Sequence, residues 1–388
     1  MLQTDLLPPA HADLVSHLVY DFYGERLATC SADQRVKVFH KDEFGKWSQE
    51  ADWKAHDAPI LRLSFSHPIH GSLLASSSHD RTVRIWEEPT SLPPSSSSSA
   101  PAPGSVRWVE RGILTGAKGA VRGVEFGPPD PAFGLRVAFM GTDGYLRVHT
   151  SLDPSLNDWS EAHKIHIPSL PAPHSTSSSD DANPFSSSSE SAATPSSELA
   201  LGGWGLSWCK ERWWGSLIAT FAGSSPVIKI ISLEPTPTSI LHLTPPSSSS
   251  FPSSSSSSSS APPAPLTALS WAPNCGKNYH LLATGSRDGS IRIWRLEPPG
   301  ERARVDFTAE GSEAGGDVVR EWRGECTAEF GKGGARVGSV DWNATGTMLS
   351  TTDDEGVVRI YKPTYAKSWK LLGQLVAEEP PHEEANGH

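Results

Sequence analysis

Apolar and polar residues alternate along most of this chain in short runs, and the runs return in a fixed order. "LVYDF" (18–22), "LRLSF" (61–65), "VRGVEF" (121–126), "WGLSW" (204–208), "LTALSW" (266–271) and "VGSVDW" (337–342) each alternate apolar with polar or small residues and end on an aromatic ring. A period of two, rich in β-branched and aromatic residues and bounded by Gly, Pro and Asp, predicts strands rather than helices. After each run comes a strand–turn–strand unit: "LATCSADQRVKVF" (27–39), "LASSSHDRTVRIW" (74–86), "AFMGTDGYLRVHT" (138–150), "IATFAGSSPVIKI" (218–230), "LATGSRDGSIRIW" (282–294) and "LSTTDDEGVVRIY" (349–361). Most copies add a further alternating run, such as "WSQEADWK" after the first and "SWKLLGQL" after the last.

Six repeats of four strands predict an all-β chain, a six-bladed WD-repeat β-propeller. Asp33, Asp80, Asp143 and Asp288 stand six residues before Phe39, Trp86, His149 and Trp294. The fourth copy places Ser225 in the turn and Ile230 at the aromatic position, and the sixth places Glu355, beside Asp354, six before Tyr361. No copy keeps a literal Trp-Asp pair, since the second reads Trp86-Glu87 and the fifth Trp294-Arg295. Steps between the turn positions exceed the usual 40 to 45 or so residues, and the excess falls largely where serine and proline dominate.

The expected organisation is one propeller domain over 1–388, with blades at about 11–54, 55–116, 117–167, 199–243, 266–330 and 335–377. The stretches 90–105, 168–198 and 244–265 have too little apolar surface to offset an ordering cost of roughly 1–2 kcal/mol per residue, and the acidic tail 378–388 is similar in kind. These are expected to be disordered. What is left, roughly 300 to 320 residues, suffices for a large core.

Net charge is −11, and no stretch clusters Lys and Arg with interleaved aromatics, which argues against direct binding of nucleic acid or anionic membrane. Cys30, Cys209, Cys275 and Cys326 lie far apart with no CxxC pair, so neither a zinc site nor a disulfide framework is expected, and a reducing compartment fits best. No basic, then apolar, leader opens the chain and no apolar run reaches the span of a membrane helix.

One segment, "SSSHDRTVRIW" (76–86), holds the residue types of a hydrolytic triad within five positions, but a triad is defined in space and not by adjacency. The resemblance to WD-type blades implies a structural network instead: Asp80 in the turn, His56 upstream, one of Ser76 to Ser78, and Trp86. Asp33, Asp143, Asp288 and Trp294 take the matching positions in other blades. Neither a catalytic residue, a metal ligand nor a cofactor is assigned.

The phase of the repeats leaves the ring without a lock. "AH" at 10–11 echoes "AH" at 55–56, so the first copy begins at its own innermost strand, and the last copy carries its own outermost strand, "SWKLLGQL" (368–375). Strand edges at such a seam offer unpaired N–H and C=O groups to another chain. Two other outcomes stay open: closure by side-chain packing alone, or a short strand from "MLQTDLL".

"AHADLVSHLVYDFYGERLATCSADQRVKVF", "WKAHDAPILRLSFSHPIHGSLLASSSHDRTVRIWEEP", "GLRVAFMGTDGYLRVH" and "WNATGTMLSTTDDEGVVRIYKPTYAKSWK" resemble the Seh-type nucleoporins, sisters of the Sec-thirteen-type coat propellers. "WEEP", the insert before Trp108 and "LNDW" (156–159) favour the Seh type; blade four departs most. The resemblance implies an open six-bladed propeller completed by a blade that an α-helical solenoid nucleoporin donates in trans, within the Y-shaped scaffold of the nuclear pore's outer rings. It also implies membership of a vacuolar or lysosomal coat-like complex that regulates amino-acid signalling to TOR. Expected partners are that solenoid and other Y-complex subunits; expected locations are the nuclear envelope and, peripherally, the vacuole or lysosome. On this reading Val15, Leu18 and Val19 of blade one and Val337, Val340 and Trp342 of blade six are candidates for partner contact. Trp208, Trp213 and Trp214 form either a surface anchor or blade packing. The rival readings are a Sec-thirteen-type vesicle-coat propeller, a WD-repeat adaptor of a ubiquitin ligase or chromatin enzyme, and a propeller hydrolase.

Overall fold

Every alternating run becomes a strand, and within each set of four a strand pairs only with its neighbours in sequence. The computed structural model describes residue 7 and residues 11–88, 108–153, 155–173, 202–246, 264–273, 276–299, 321–331, 333–365 and 368–376. The tracts 90–105, 174–198 and 247–263 and the tail 378–388, all expected to be disordered, lie outside the described residues. Among the described residues there is no α-helix.

The chain divides into two compact units, Met1–Thr244 and Pro245–His388. The first holds four antiparallel sheets. Blade one is β1 (Val15–Tyr20), β2 (Arg26–Ser31), β3 (Arg35–Lys41) and β4 (Trp47–Lys54); blade two is β5 (Ile60–Phe65), β6 (Leu73–Ser78), β7 (Val83–Glu87) and β8 (Val109–Leu114). Blade three is β9 (Val121–Phe126), β10 (Leu135–Gly141), β11 (Tyr145–Ser151) and β12 (Ser160–His166); blade four is β13 (Gly203–Trp208), β14 (Leu217–Gly223), β15 (Ile228–Ser232) and β16 (Thr238–Leu243). The second unit holds blade five, β17 (Leu266–Trp271), β18 (His280–Ser286), β19 (Ile291–Glu297) and β20 (Arg323–Phe330), and blade six, β21 (Val337–Trp342), β22 (Leu349–Asp353), β23 (Val357–Pro363) and β24 (Trp369–Val376).

One irregularity repeats in every blade. The register between third and fourth strands slips at Val38/Phe39, Ile85/Trp86, Val148/His149, Ile230/Ile231, Ile293/Trp294 and Ile360/Tyr361. Such a bulge bends and twists a strand, and in five of the six blades it falls just before the expected aromatic position. In blade four that position is therefore Ile231 and not Ile230: Ile231 pairs with Ile218 as Phe39 pairs with Leu27. The fourth turn is one residue longer than the alignment of apolar positions suggests.

Within each unit the core lies between successive blades. The forward face of blade one (Ala28, Cys30, Val36, Val38) packs on the rear face of blade two (Ile60, Leu63, Leu74, Trp86), all at 5 % exposure or less. Blade two meets blade three, and blade three meets blade four, in the same way, with Ile85 in one cluster and Met140 in the next. In the second unit Ala283 and Ile293 of blade five pack with Val337, Leu349 and Tyr361 of blade six. The inner two strands of each preceding blade touch the first strand of the next: β1 and β2 touch β5, β5 and β6 touch β9, β9 and β10 touch β13, and β17 and β18 touch β21.

Candidate partner-binding strand

The residues of the triad-like segment 76–86 and His56 come together in blade two. His56 Nδ1 lies 2.8 Å from Asp80 Oδ2, and His56 Nε2 lies 2.8 Å from Ser76 Oγ. The carboxylate fixes the ring proton on Nδ1, so Nε2 accepts from the Ser76 hydroxyl. Trp86 Nε1–H donates to the same Ser76 oxygen at 2.9 Å, and Thr82 Oγ1 donates to Asp80 at 2.7 Å. Burial alone would raise the Asp80 carboxyl, but the hydrogen bonds from His56 and Thr82 outweigh it and hold the group well below the ordinary carboxylate range. Ser76 is 0 % exposed and His56 1 % exposed. That hydroxyl is closed to solvent. His79, adjacent in sequence, uses its backbone N–H on Pro59 O instead.

Blade one repeats the network with His11, whose nitrogens lie 2.9 Å from both Asp33 Oδ2 and Thr29 Oγ1. The Ala10-His11 echo of Ala55-His56 is the signal that finds it. The other blades keep fragments. Asp143 takes the Arg147 guanidinium at 2.7 Å, Asp288 accepts from Ser290 N at 3.0 Å, and Trp294 Nε1 donates to Thr284 Oγ1 at 3.0 Å. In blade six the turn is held by Asp353, which accepts from the Glu355 and Val357 amides and from Arg359. The expected turn group, Glu355, is exposed and is itself a donor through its backbone.

The six candidate partner residues separate sharply. Val15 and Leu18 are each 53 % exposed. Val19 points the other way and packs with the core between blades one and two. Val337 and Val340 are 2 % and 3 % exposed, buried where blade five packs on blade six, and so have no side-chain surface to offer. Trp342 is half-buried, donates Nε1–H to Ser270 O at 3.1 Å and lies edge-on to Trp369. Alternation in sequence cannot say which strands are already covered by a neighbouring blade.

Position-by-position comparison identifies the bare strand. In blade one Val15, Leu18 and Tyr20 pair with Ser31, Thr29 and Leu27 and form one row on the rear side of β1. The equivalent rows are Ile60, Leu63 and Phe65; Val121, Val124 and Phe126; Trp204, Leu206 and Trp208; Leu266, Leu269 and Trp271; and Val337, Val340 and Trp342. All fifteen of those residues are buried or half-buried, none above 8 % where buried, whereas Val15, Leu18 and Tyr20 are 53, 53 and 52 % exposed. Tyr20 completes the row and was legible in "LVYDF", two residues beyond Leu18. Leu27, Thr29 and Phe39 on the same side stay buried, so the bare area is confined to β1.

Blade six shows the complementary feature. On the forward sides of blades one to five, the two facing residues of the second strand and the two of the third are buried, as with Ala75, Ser77, Val83 and Ile85 at 0 %. The equivalents in blade six, Ser350, Thr352, Val358 and Ile360, are all half-buried. In blade four Trp208 is 0 % exposed, packing under the Arg136 guanidinium, while Trp213 is 78 % exposed. The tryptophan cluster thus divides between packing and surface.

The WD40 model, described as WD domain, G-beta repeat, matches residues 3–40, 47–87, 255–295 and 324–362. Nucleoporin SEH1 of Saccharomyces cerevisiae is 31 % identical over 392 aligned residues, covering 95 % of this chain and 98 % of the relative. Nucleoporin SEH1 of Homo sapiens is 29 % identical, covering 96 % and 88 %, and Nucleoporin seh1 of Schizosaccharomyces pombe is 28 % identical, covering 96 % of each. With six WD-type blades and a full-length match of this kind, the chain belongs to the SEH1 family of nucleoporins.

Proposed function

We propose that this chain is a non-catalytic scaffold subunit of the nuclear pore's outer-ring Y-shaped complex, joined to an α-helical solenoid nucleoporin that donates a β-blade in trans. Through that scaffold it supports nucleocytoplasmic transport of mRNA and protein. We propose membership of a second assembly as well, the vacuolar or lysosomal coat-like complex that regulates amino-acid signalling to TOR. The observation that carries the reading is the bare row Val15, Leu18, Tyr20, the one first-strand row among the described blades left without cover. Three apolar side chains about half exposed on an unpaired edge strand are a template for strand addition.

The test is to purify the full chain alone and co-expressed with the solenoid nucleoporin. The expected result is co-elution and a raised melting temperature at saturating partner, because a binder of the native state adds stability by mass action. Independent elution with equal melting temperatures would overturn the reading. Recovery of vesicle-coat cage subunits in place of pore subunits, in an immunoprecipitation, would move the assignment to the Sec-thirteen-type sister.

A further inference from the structure

The four blade junctions inside the two units specify what must sit on β1. This rests on the reading that a partner's strands cover it. Asp21 N–H donates to Arg26 O at 3.0 Å, and in an antiparallel pair hydrogen-bonded positions alternate with free ones. Positions 19 and 17 therefore pair with β2, and the Leu18 and Tyr20 N–H groups point to the open edge.

At the equivalent edge of the next three blades the preceding blade's first strand supplies an acceptor side chain. Leu63 N donates to His17 Nδ1 at 3.3 Å, Phe126 N to Ser64 Oγ at 3.0 Å, and Trp208 N to Glu125 Oε2 at 2.9 Å. Leu63 corresponds to Leu18, and Phe126 and Trp208 correspond to Tyr20. The three acceptors differ in chemistry, and in place they follow their donors: Ser64 and Glu125 share one register position, and His17 stands two residues before it. A buried backbone N–H left without a partner is costly, which explains why each of these three junctions provides one. The fifth-to-sixth junction carries a different contact from the same strand: Thr267 Oγ1 donates to Val337 O at 2.7 Å and so satisfies a carbonyl.

Size is constrained as well. The middle facing residue of the second strand is alanine in the blade that leads each junction: Ala28, Ala75, Ala138 and Ala283, each 0 % exposed. A larger side chain there would compete for space with the Leu, Phe or Trp rows, and overpacking a filled interface is itself destabilising.

We infer that the partner segment seated on β1 is an antiparallel strand pair of defined chemistry. Its inner strand carries a side-chain acceptor, a hydroxyl, carboxylate or imidazole, for the N–H of Leu18 or Tyr20. Its second strand turns an alanine-sized residue toward the Val15–Leu18–Tyr20 row.

Site-specific crosslinking tests this on the full chain in cells. Leu18 is replaced by the photo-crosslinker p-benzoylphenylalanine, with Phe44, 94 % exposed on the β3–β4 turn, replaced in a control. Crosslinked peptides are then sequenced by mass spectrometry. The expected capture at position 18 is a segment of another polypeptide with strand alternation, an Ala, Gly or Ser at the facing position, and an acceptor on the inner strand. Replacing that acceptor by alanine should weaken the complex about tenfold, and replacing the small residue by leucine at least as much. Capture of a segment lacking these features, or an acceptor whose alanine variant binds equally well, overturns the inference and leaves strand donation standing. No capture at position 18 above the Phe44 control overturns donation along with it.

Discussion

His56 Nδ1 stands 2.8 Å from the Asp80 carboxylate, and its opposite nitrogen stands 2.8 Å from Ser76 Oγ, the geometry of a serine hydrolase triad. The arrangement is sealed: Trp86 donates into the serine oxygen and Ser76 has no exposed surface. A fluorophosphonate probe is accordingly expected to leave Ser76 unlabelled in the native protein. Asp80→Asn, which removes the carboxylate that orients His56, is expected to lower stability by about 1–3 kcal/mol. Mass spectrometry of the probed protein and urea unfolding of the variant check the two outcomes; labelled Ser76 would restore the hydrolase reading.

The bare row and its buried counterparts predict opposite consequences for one substitution. Leu18→Asp adds a charge to a side chain already half in water, and should leave folding nearly unchanged, within about 0.5 kcal/mol. Binding to the solenoid partner should be lost. Leu63→Asp, at the matching position of blade two and 2 % exposed, should instead fail to fold, because it buries an unpaired carboxylate in a packed core. Circular dichroism melts with partner titration separate the two. A Leu18→Asp protein that binds as the wild type does would remove β1 from the interface.

Two arginines clamp successive blades in the first unit from equivalent positions. Arg26 reaches Glu88 at 2.7 Å and Ser72 at 3.3 Å, and Arg136 reaches Ser216 at 2.8 Å and Glu234 at 3.0 Å. They differ in burial, with side-chain exposures of 23 % and 4 %. Arg136 is also covered by the Phe133 and Trp208 rings at 4.6 and 5.1 Å. Arg136→Met strands a partly buried carboxylate and loses both hydrogen bonds, with an expected cost of about 3 kcal/mol, whereas Arg26→Met should cost about 1 kcal/mol. Chemical denaturation of each variant, at low and at high salt, gives the comparison; the Arg26 effect should shrink more with salt.

Blade count, strand order and the His56–Asp80–Trp86 set are legible in sequence because each depends on local pattern: period-two alternation, turn residues and fixed spacing. What fails to read out is whatever depends on a neighbouring blade. Val340 and Leu18 have the same pattern and the same register position, yet one is 3 % and the other 53 % exposed. Only the presence or absence of a packed blade distinguishes them. Ile231 was hidden for a different reason: "VIKII" offers four apolar residues in near succession, and the bulge that selects one of them leaves no mark in composition. Asp353 was missed because an Asp-Asp-Glu run supplies three acids, and only the hydrogen bonds show which holds the turn.

Acid should weaken the protein in two separable stages. His280 is 1 % exposed, next to Trp271 and Trp322, and burial lowers its pKa to about 4. In the unfolded chain it titrates near 6.5 or so, so between those values the unfolded state binds more protons and stability falls as pH falls. Asp80 is held low in the folded state, so its contribution is intact above roughly pH 4, the unfolded value, and is lost only on further acidification. Other histidines whose pKa burial lowers, half-buried His17 and buried His149 among them, add to the first stage. His280→Phe, which keeps a ring beside Trp271, should therefore flatten the decline in urea midpoint between pH 6.5 and 4.5 without changing the steeper loss below pH 4. Asp80→Asn should do the reverse. Urea midpoints followed by tryptophan fluorescence across pH 3 to 7 decide the matter, and a His280→Phe protein with the wild-type slope above pH 4.5 would show that the ring is already protonated in the fold.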